Sequence, residues 1–263
     1  MSELGYKALL DSIQRADSGL QLYIPANWMQ GRTTYGGLSA ALCLEAIKRE
    51  HPDLPPLRST QVNFIGPAGG DVRLESRILR QGKSTAFIET SIIGDQGLAT
   101  QSIFCFGKAR ESKLDADFTA APECPGVEES EDFFKLGPGP VFTGNFDCRL
   151  AKGGFPFGGS DQHDHYIWIR FKEDVEHDAT ALLAIGDMPP PAVLPMFKEF
   201  APISSMNWAV NFLRENPKTD DGWWLTRTRA EQAKDGYSSQ DMQVWNSDLD
   251  LVMTGRQSVA IFY

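Results

Sequence analysis

The chain has 263 residues, a formal net charge of −10 and 41% apolar residues. Its length and apolar content predict one large globular domain, or two ordinary domains that each bury a core. The negative charge argues against nucleic acids and anionic membrane surfaces as partners, because both attract clustered Lys and Arg. An anionic small ligand remains compatible, because it needs only a local basic patch.

We expect neither a membrane span nor a leader peptide in this chain. No stretch approaches about 20 consecutive apolar residues, and the N-terminus lacks a basic start followed by an apolar run. The four cysteines, Cys43, Cys105, Cys124 and Cys148, have no CxxC spacing. This pattern predicts free thiols in a reducing cytoplasm rather than disulfides or a metal site.

The first half of the chain predicts a buried helix followed by antiparallel strands. Residues 38–50 are apolar on most sides until Lys48, and His51-Pro52 ends the segment. Residues 72–79 then alternate apolar and charged side chains, and residues 85–93 and 98–106 are rich in β-branched or aromatic side chains. Turn residues at 81–84 and 95–97 separate these runs, so we expect a meander of three strands.

An acidic, proline-bearing segment separates this half from the next. Residues 111–140 carry clustered Asp, Glu and Pro, which is typical of a linker. We expect an N-terminal domain at 1–114, a linker at 115–140 and a C-terminal domain at 141–263.

The second half repeats the same order of elements. Met188 and three prolines precede residues 192–200, where we expect a helix that is short or kinked because of Pro195. Strands are predicted at 223–230, 241–246 and 250–262.

Short matching motifs support an internal repeat. Val62-Asn63-Phe64 matches Val210-Asn211-Phe212, and Gln101-Ser102 matches Gln257-Ser258 in the same order. Each copy therefore predicts a helix packed on one face of an antiparallel sheet, which is an α+β arrangement.

These residues resemble the acyl-CoA thioesterase II family. The resemblance spans most of the chain and is clearest at Tyr35-Gly36-Gly37, at residues 64–67 (Phe-Ile-Gly-Pro), at 168–170 (Trp-Ile-Arg), and from Ile185 onward. It implies a double hotdog, in which each of two fused domains wraps an antiparallel sheet around a central helix. It also implies a homo-oligomer, dimeric or higher, because hotdog sheets commonly pair their long edges.

The resemblance also implies the site residues. The catalytic group is an Asp at the start of the second helix, a hydroxyl on the following strand and a Gln on the last strand. In this sequence they are Asp187, Ser205 and Gln257, with Ser204 as an alternative hydroxyl. Gly37 stands where the second copy has Asp187, so one copy is catalytic, although Gln101 remains opposite Gln257. The substrate-binding candidates are Tyr35, Gly36, Gly37 and Asn63.

Such a group would activate water for thioester hydrolysis without a metal or an organic cofactor. An Asp with an ordinary pKa near 3.9 is a poor base, so we expect the surroundings of Asp187 to raise its pKa. Backbone N–H groups after Gly37 would stabilise the oxyanion, and we expect Gly37 to face Asp187 across the domain interface. The alternative for Asp187 is a helix N-cap.

Two other functions remain open. A hotdog enoyl-CoA hydratase resembles this pattern but uses a His a few residues after its Asp, and residues 188–192 contain none. A non-catalytic acyl-ligand binder would keep the pocket without chemistry. His163-Asp164-His165 is a weak metal motif, because no distant Cys or His cluster supports it, and we expect a loop or interface role. The net charge favours coenzyme A over an acidic acyl carrier protein.

Overall fold

A computed structural model describes residues 3–263, and within them thirteen strands form one continuous antiparallel sheet. The first half contributes β1 (Gln14–Arg15), β2 (Leu20–Ile24), β3 (Met29–Gln30), β4 (Thr33–Thr34), β5 (Leu57–Phe64), β6 (Gly70–Gln81), β7 (Thr85–Gly94) and β8 (Gly97–Gly107). The second half contributes β9 (Glu131–Asp132), β10 (Phe146–Lys152), β11 (Asp164–Phe171), β12 (Ile203–Phe212), β13 (Trp224–Lys234), β14 (Tyr237–Trp245) and β15 (Leu251–Ile261). The short strands β3 and β4 pair only with each other.

The strand order shows two similar halves joined edge to edge. It runs β1-β2-β6-β7-β8-β5 in the first half and β12-β15-β14-β13-β11-β10-β9 in the second. The halves meet where β5 pairs antiparallel with β12, with Asn63 opposite Asn207 and Val62 opposite Trp208. The predicted meanders 72–106 and 223–262 are therefore present, with strand ends shifted by a few residues.

Two buried helices lie against the sheet, and a third, α1 (Tyr6–Asp11), is near the N-terminus. α2 (Gly36–Glu50) is the helix predicted from its apolar character, and most of its residues are buried. α3 (Ala179–Gly186) is shorter, and Asp178 caps its start by accepting a hydrogen bond from the Ala181 N–H at 2.9 Å. Among residues 3–263, none of the helices combines the length and apolar character needed to cross a bilayer.

The helices α2 and α3 pack against each other in opposite directions. At one end, the Lys48 ammonium of α2 lies 2.6 Å from the Asp178 carboxylate that caps α3. At the other end, the Tyr35 hydroxyl donates a hydrogen bond to the Ala184 carbonyl in the last turn of α3. The start of α2 therefore faces the end of α3.

The helix predicted at 192–200 was wrong. This segment contains only a single 3₁₀ turn, Leu194–Met196, and the helix of the second half is α3, which ends before Asp187. Proline has no backbone N–H and disfavours a helical conformation in the residue before it, so residues 189–191 cannot continue a helix. Asp187 is accordingly the C-cap of α3 and not an N-cap or the start of a helix.

The segment between the halves has little regular structure. Residues 108–130 contain no helix or strand, and β9 then pairs with β10. The Trp168 indole N–H donates to the Pro125 carbonyl at 3.0 Å, so this part of the segment covers the outer side of β11. The division into 1–114, 115–140 and 141–263 stays a prediction.

Candidate active site

The carboxyl of Asp187 lies where the end of α3 meets the start of α2. The antiparallel packing brings Gly36 against it: a methyl group at Gly36 would lie 2.6 Å from Asp187 Oδ2. The same methyl group would lie 3.0 Å from Cζ of Phe64, the last residue of β5. Gly36 therefore packs directly against Oδ2 and the Phe64 ring, and no larger side chain fits at this position unless one of them moves.

Gln257 fixes the other oxygen of the carboxyl. Its side-chain N–H donates to Asp187 Oδ1 at 2.7 Å. Gln257 lies on β15, opposite Trp208 of β12, and both side chains are buried on the helix side of the sheet. Two of the residues implied by the resemblance, Asp187 and Gln257, are thus in direct contact although they lie 70 positions apart.

The surroundings raise the pKa of Asp187 to about 7. Burial is the main cause, because it disfavours the charged carboxylate. Hydrogen bonds from Gln257 and from the backbone N–H of Gly37 act in the opposite direction by stabilising that charge. The residue nevertheless keeps some accessible surface. A carboxyl with this pKa can both accept and release a proton near neutral pH, as a general base must.

The strand register distinguishes the two candidate hydroxyls. Ser205 is opposite Val259 and Ser204 is opposite Ala260. Directly opposite residues share a face of the sheet, and Val259 is two positions from Gln257, so Ser205 shares the face of Gln257. Among the described residues, no hydrogen bond joins the Ser205 hydroxyl to Asp187 or Gln257, so the structure brings Ser205 to the same face but not into contact.

The substrate-binding candidates separate into two groups. Tyr35, Gly36 and Gly37 lie at the start of α2, beside Asp187. Tyr35 is fully enclosed, with its ring stacked on Phe142 at 4.0 Å, so it holds the two helices together rather than lining an open site.

Asn63 is not brought to the site. It is exposed on the outer face of β5, where its amide lies 3.5 Å from the Gln101 carbonyl. Successive residues of a strand point to opposite faces, and its neighbour Phe64 is the residue that reaches Gly36. The predicted role of Asn63 in substrate binding has no support from this position.

The predicted equivalence of Gln101 and Gln257 was also wrong by one position. Gln101 lies on the outer side of β8 and donates to Glu89 at 2.7 Å. Its neighbour Ser102 is the buried residue, and it pairs with Thr90 of β7. A shift of one residue reverses the face of a strand, so matching sequence letters placed the wrong residue inside.

Gly37 and Asp187 are likewise not equivalent in the two copies. Gly37 is in the first turn of α2, whereas Asp187 follows the last turn of α3. They nevertheless face each other, as expected, because the two helices are antiparallel.

The sequence analysis missed Gln240, which extends the network behind Gln257. Gln240 lies on β14 and has no solvent exposure. Its amide N–H donates to the Gln257 side-chain oxygen at 2.8 Å, and its own oxygen accepts the Ala192 backbone N–H at 3.0 Å. The alternation of β14 already places Gln240 on the same face as the apolar Met242 and Val244, which was the available signal.

The residues 163–165 do not form a metal-binding cluster. Asp164 pairs with Arg227 at 2.7 Å, and the His163 ring lies 3.0 Å from the Ala230 carbonyl. His165 points to the opposite face from Asp164 and is buried, which lowers its pKa to about 4. Within residues 3–263, no group of three or more His, Cys, Asp or Glu side chains is arranged to hold a metal ion.

Comparison with known families and structures gives a consistent result. The family model described as the acyl-CoA thioesterase N-terminal domain matches residues 24–107, and the one described as the acyl-CoA thioesterase C-terminal domain matches residues 119–261. No curated protein sequence matches the chain.

Similar solved structures agree on the fold. A conserved hot dog fold protein of unknown function from Alicyclobacillus acidocaldarius is 24% identical, with a TM-score of 0.85 over 97% of this chain and 98% of that chain. Acyl-CoA thioesterase II TesB2 from Mycobacterium marinum is 15% identical, with a TM-score of 0.75 over 97% of both chains. The dehydratase domain of RzxB from Pseudomonas fluorescens is 12% identical, with a TM-score of 0.58 over 95% of this chain and 98% of that chain. The predicted double hotdog is confirmed.

Proposed function

Because the chain belongs to the acyl-CoA thioesterase family, we propose that it hydrolyses acyl-CoA to a free carboxylic acid and coenzyme A with a water molecule activated by Asp187. The observation that carries this proposal is the contact between Asp187 and Gln257 at the junction of α2 and α3. It combines a carboxyl whose pKa is about 7 with a fixed donor on one oxygen, and the other oxygen lies against Gly36 at the start of α2. The proposal involves no metal or organic cofactor.

The proposed reaction follows from the different surroundings of the two carboxyl oxygens of Asp187. Gln257 holds Oδ1, which leaves Oδ2 to accept a proton from a water molecule. As that proton leaves, the water oxygen attacks the thioester carbonyl carbon and forms a tetrahedral oxyanion. When the carbon–sulfur bond breaks, coenzyme A leaves as a thiolate, and the proton held by Asp187 neutralises it.

The start of α2 supports the negative charges of this reaction. The first N–H groups of a helix have no partner within the helix and carry a partial positive charge. The Gly37 N–H is directed at Asp187, so neighbouring N–H groups of the first turn would serve the oxyanion. This assignment supports the Gly36-Gly37 pair as a binding element.

Ser205 would orient the water from the β12 side. We expect Ser205→Ala to lower kcat about tenfold, because one hydrogen bond to a reacting group contributes about 1.5 kcal/mol. Ser204→Ala should remain within about twofold of the wild type, because Ser204 points to the other face of the sheet. Steady-state kinetics of both variants, with melting temperatures as a folding check, test this assignment, and an equal effect of the two substitutions would contradict it.

The fold alone leaves the hydratase alternative open, since a dehydratase domain shares it. The five residues after Asp187 are Met, Pro, Pro, Pro and Ala and include no His, which disfavours acid–base chemistry of that kind. The remaining alternative is a protein that binds an acyl ligand without turnover.

A panel of substrates separates these functions. We expect the wild-type protein to release free thiol from at least one of a set of short, medium, long and aromatic acyl-CoA thioesters, at a rate at least tenfold above the blank. An absorbance change of an enoyl-CoA without thiol release would instead indicate a hydratase. Binding of acyl-CoA with neither reaction would indicate the non-catalytic binder. The same panel with acyl carrier protein thioesters tests the expected preference for coenzyme A.

Three further expectations accompany this proposal. We expect a homo-oligomer, dimeric or higher, because each outer strand of a hotdog sheet offers an edge for pairing. We expect a cytoplasmic location, which the four free cysteines favour. We expect neither nucleic acids nor membranes to be partners, because of the net charge of −10.

A further inference from the structure

Three consecutive hydrogen bonds connect the backbone after α3 to the carboxyl of Asp187. The Ala192 N–H donates to Gln240 Oε1 at 3.0 Å, Gln240 Nε2 donates to Gln257 Oε1 at 2.8 Å, and Gln257 Nε2 donates to Asp187 Oδ1 at 2.7 Å. Gln240 and Gln257 are both buried, at 0% and 2% exposure. Water therefore has little access to replace any of these bonds.

The donor-to-acceptor direction of these hydrogen bonds is set by the Ala192 N–H, at the end of the network farthest from Asp187. A side-chain amide can present either its oxygen or its NH₂ group to a given neighbour. A backbone N–H can only donate, so the Ala192 N–H requires the oxygen of Gln240. That choice turns the NH₂ group of Gln240 toward Gln257, which then presents its oxygen to Gln240 and its own NH₂ group to Asp187.

We propose that Gln240 is a positioning residue that fixes the amide of Gln257 so that an N–H, and not a carbonyl oxygen, faces Asp187. The proposal rests on the function assigned to Asp187 above. Gln240 itself does not reach the carboxyl, because Gln257 lies between them.

The opposite orientation of Gln257 would disable the base. An amide oxygen against Oδ1 would face the lone pairs of a carboxylate, and only a protonated carboxyl could bond to it. Burial already favours the protonated form of Asp187. Without the donated hydrogen bond, less of Asp187 would be in the carboxylate form that accepts a proton from water.

The other titratable groups near this network are neutral at pH 7 or point away from it. Burial raises the pKa of the Tyr35 hydroxyl at the start of α2 and of the Cys148 thiol on β10, and it lowers the pKa of His165 on β11 to about 4. The charged neighbours of Gln240 and Gln257 in sequence, Asp241 and Arg256, pair with each other on the outer face at 3.4 Å. The hydrogen bond from Gln257 and the Gly37 N–H are therefore the local influences that favour the charged form of Asp187.

Two substitutions of Gln240 test the proposal. Gln240→Met keeps the length and approximate volume of the side chain and removes both hydrogen bonds. We expect it to lower kcat about tenfold with KM within about twofold. Gln243→Met is the matched control, because Gln243 lies on the same strand but faces outward toward Arg227, and we expect wild-type kinetics from it.

Gln240→Glu adds a readout that a merely structural role would not give. A protonated Glu has one O–H donor and one acceptor oxygen, so it can replace the amide and give the activity of the wild type at any pH at which it stays protonated. An ionised Glu can only accept hydrogen bonds, so the Gln257 amide would turn its NH₂ group toward it and its oxygen toward Asp187. We expect a falling limb at high pH in the kcat/KM profile of Gln240→Glu that the wild type lacks, under conditions where the variant remains folded.

A measurement independent of turnover separates this inference from the proposed function. In protein carrying ¹³C-labelled Asp carboxyls, the Asp187 signal is identified by its loss in Asp187→Asn. We expect its titration midpoint to rise by at least about half a pH unit in Gln240→Met and not in Gln243→Met. An unchanged midpoint and unchanged kcat in folded Gln240→Met would overturn the inference while leaving the thioesterase function intact. A shifted midpoint in a protein that releases no thiol would retain the positioning role and reject the proposed function.

Discussion

Asp187→Asn is expected to lower kcat/KM for the best acyl-CoA substrate at least about a hundredfold, because an amide cannot accept the proton of the attacking water. Substrate binding should change little, since Asn has the size of Asp and its oxygen can still accept the Gln257 hydrogen bond. Thiol release under steady-state conditions provides the measurement. Asp235→Asn is the matched control: Asp235 is exposed at a hairpin tip in a left-handed conformation that Asn also tolerates.

The pH dependence gives this substitution a second signature. Wild-type kcat/KM should rise with pH through a midpoint near 7, because the carboxylate form of Asp187 is the active one. Between its ordinary pKa near 3.9 and the folded value near 7, folded protein holds a proton that unfolded protein releases, so the free energy of unfolding falls as pH rises through this window. We therefore expect Asp187→Asn to melt at a higher temperature than the wild type at pH 8, with a smaller difference at pH 5 and almost none below pH 4 if the protein remains folded there. A variant that is fully active, or less stable at pH 8, would contradict the assigned role of Asp187.

Gly36→Ala is expected to lower kcat/KM at least about tenfold without loss of folding. The added methyl group would lie 2.6 Å from Asp187 Oδ2 and 3.0 Å from the Phe64 ring, so the carboxylate must shift from its position beside the start of α2. Ala has a higher helix propensity than Gly by about 1 kcal/mol, so α2 itself would not be weakened.

Gly144→Ala is the control for this substitution, because a methyl group at Gly144 would meet nothing within 4 Å. Comparison of the two variants by thiol release and by thermal melting separates a local effect from general destabilisation. Wild-type turnover by a folded Gly36→Ala protein would show that the position of Oδ2 against Gly36 does not matter for the reaction.

Local patterns in the sequence predicted much of the fold. The all-round apolar character of residues 38–47 identified α2, and period-two alternation identified β6 and its neighbours. These features depend on short-range periodicity, which a single sequence displays directly. The resemblance to the thioesterase family is confirmed and placed the two halves in the correct order.

The errors came from features that only the packed structure determines. Asp187 was placed before a helix because the eight residues of α3 form too short an apolar run to be distinguished from a strand. Gln101 was matched to Gln257 by letter and Asn63 was assigned to the site from the resemblance, whereas the face of each residue depends on strand parity. Gln240 was missed because the hydrogen-bond partners of a buried polar residue on a strand can be identified only when the neighbouring strand is known.

The junction between the helices gives the two halves of the chain different mutational tolerance. The first half contributes close backbone packing and a backbone N–H at Gly36 and Gly37, whereas the second contributes functional groups at Asp187 and Gln257. Any residue larger than glycine at position 36 or 37 should therefore lower the activity, whatever its chemistry. At positions 187 and 257, a substitution that changes the hydrogen-bonding capacity of the side chain should lower the activity even when the size of the side chain is preserved. A duplicated architecture has thus been divided between one half constrained by volume and another constrained by chemistry.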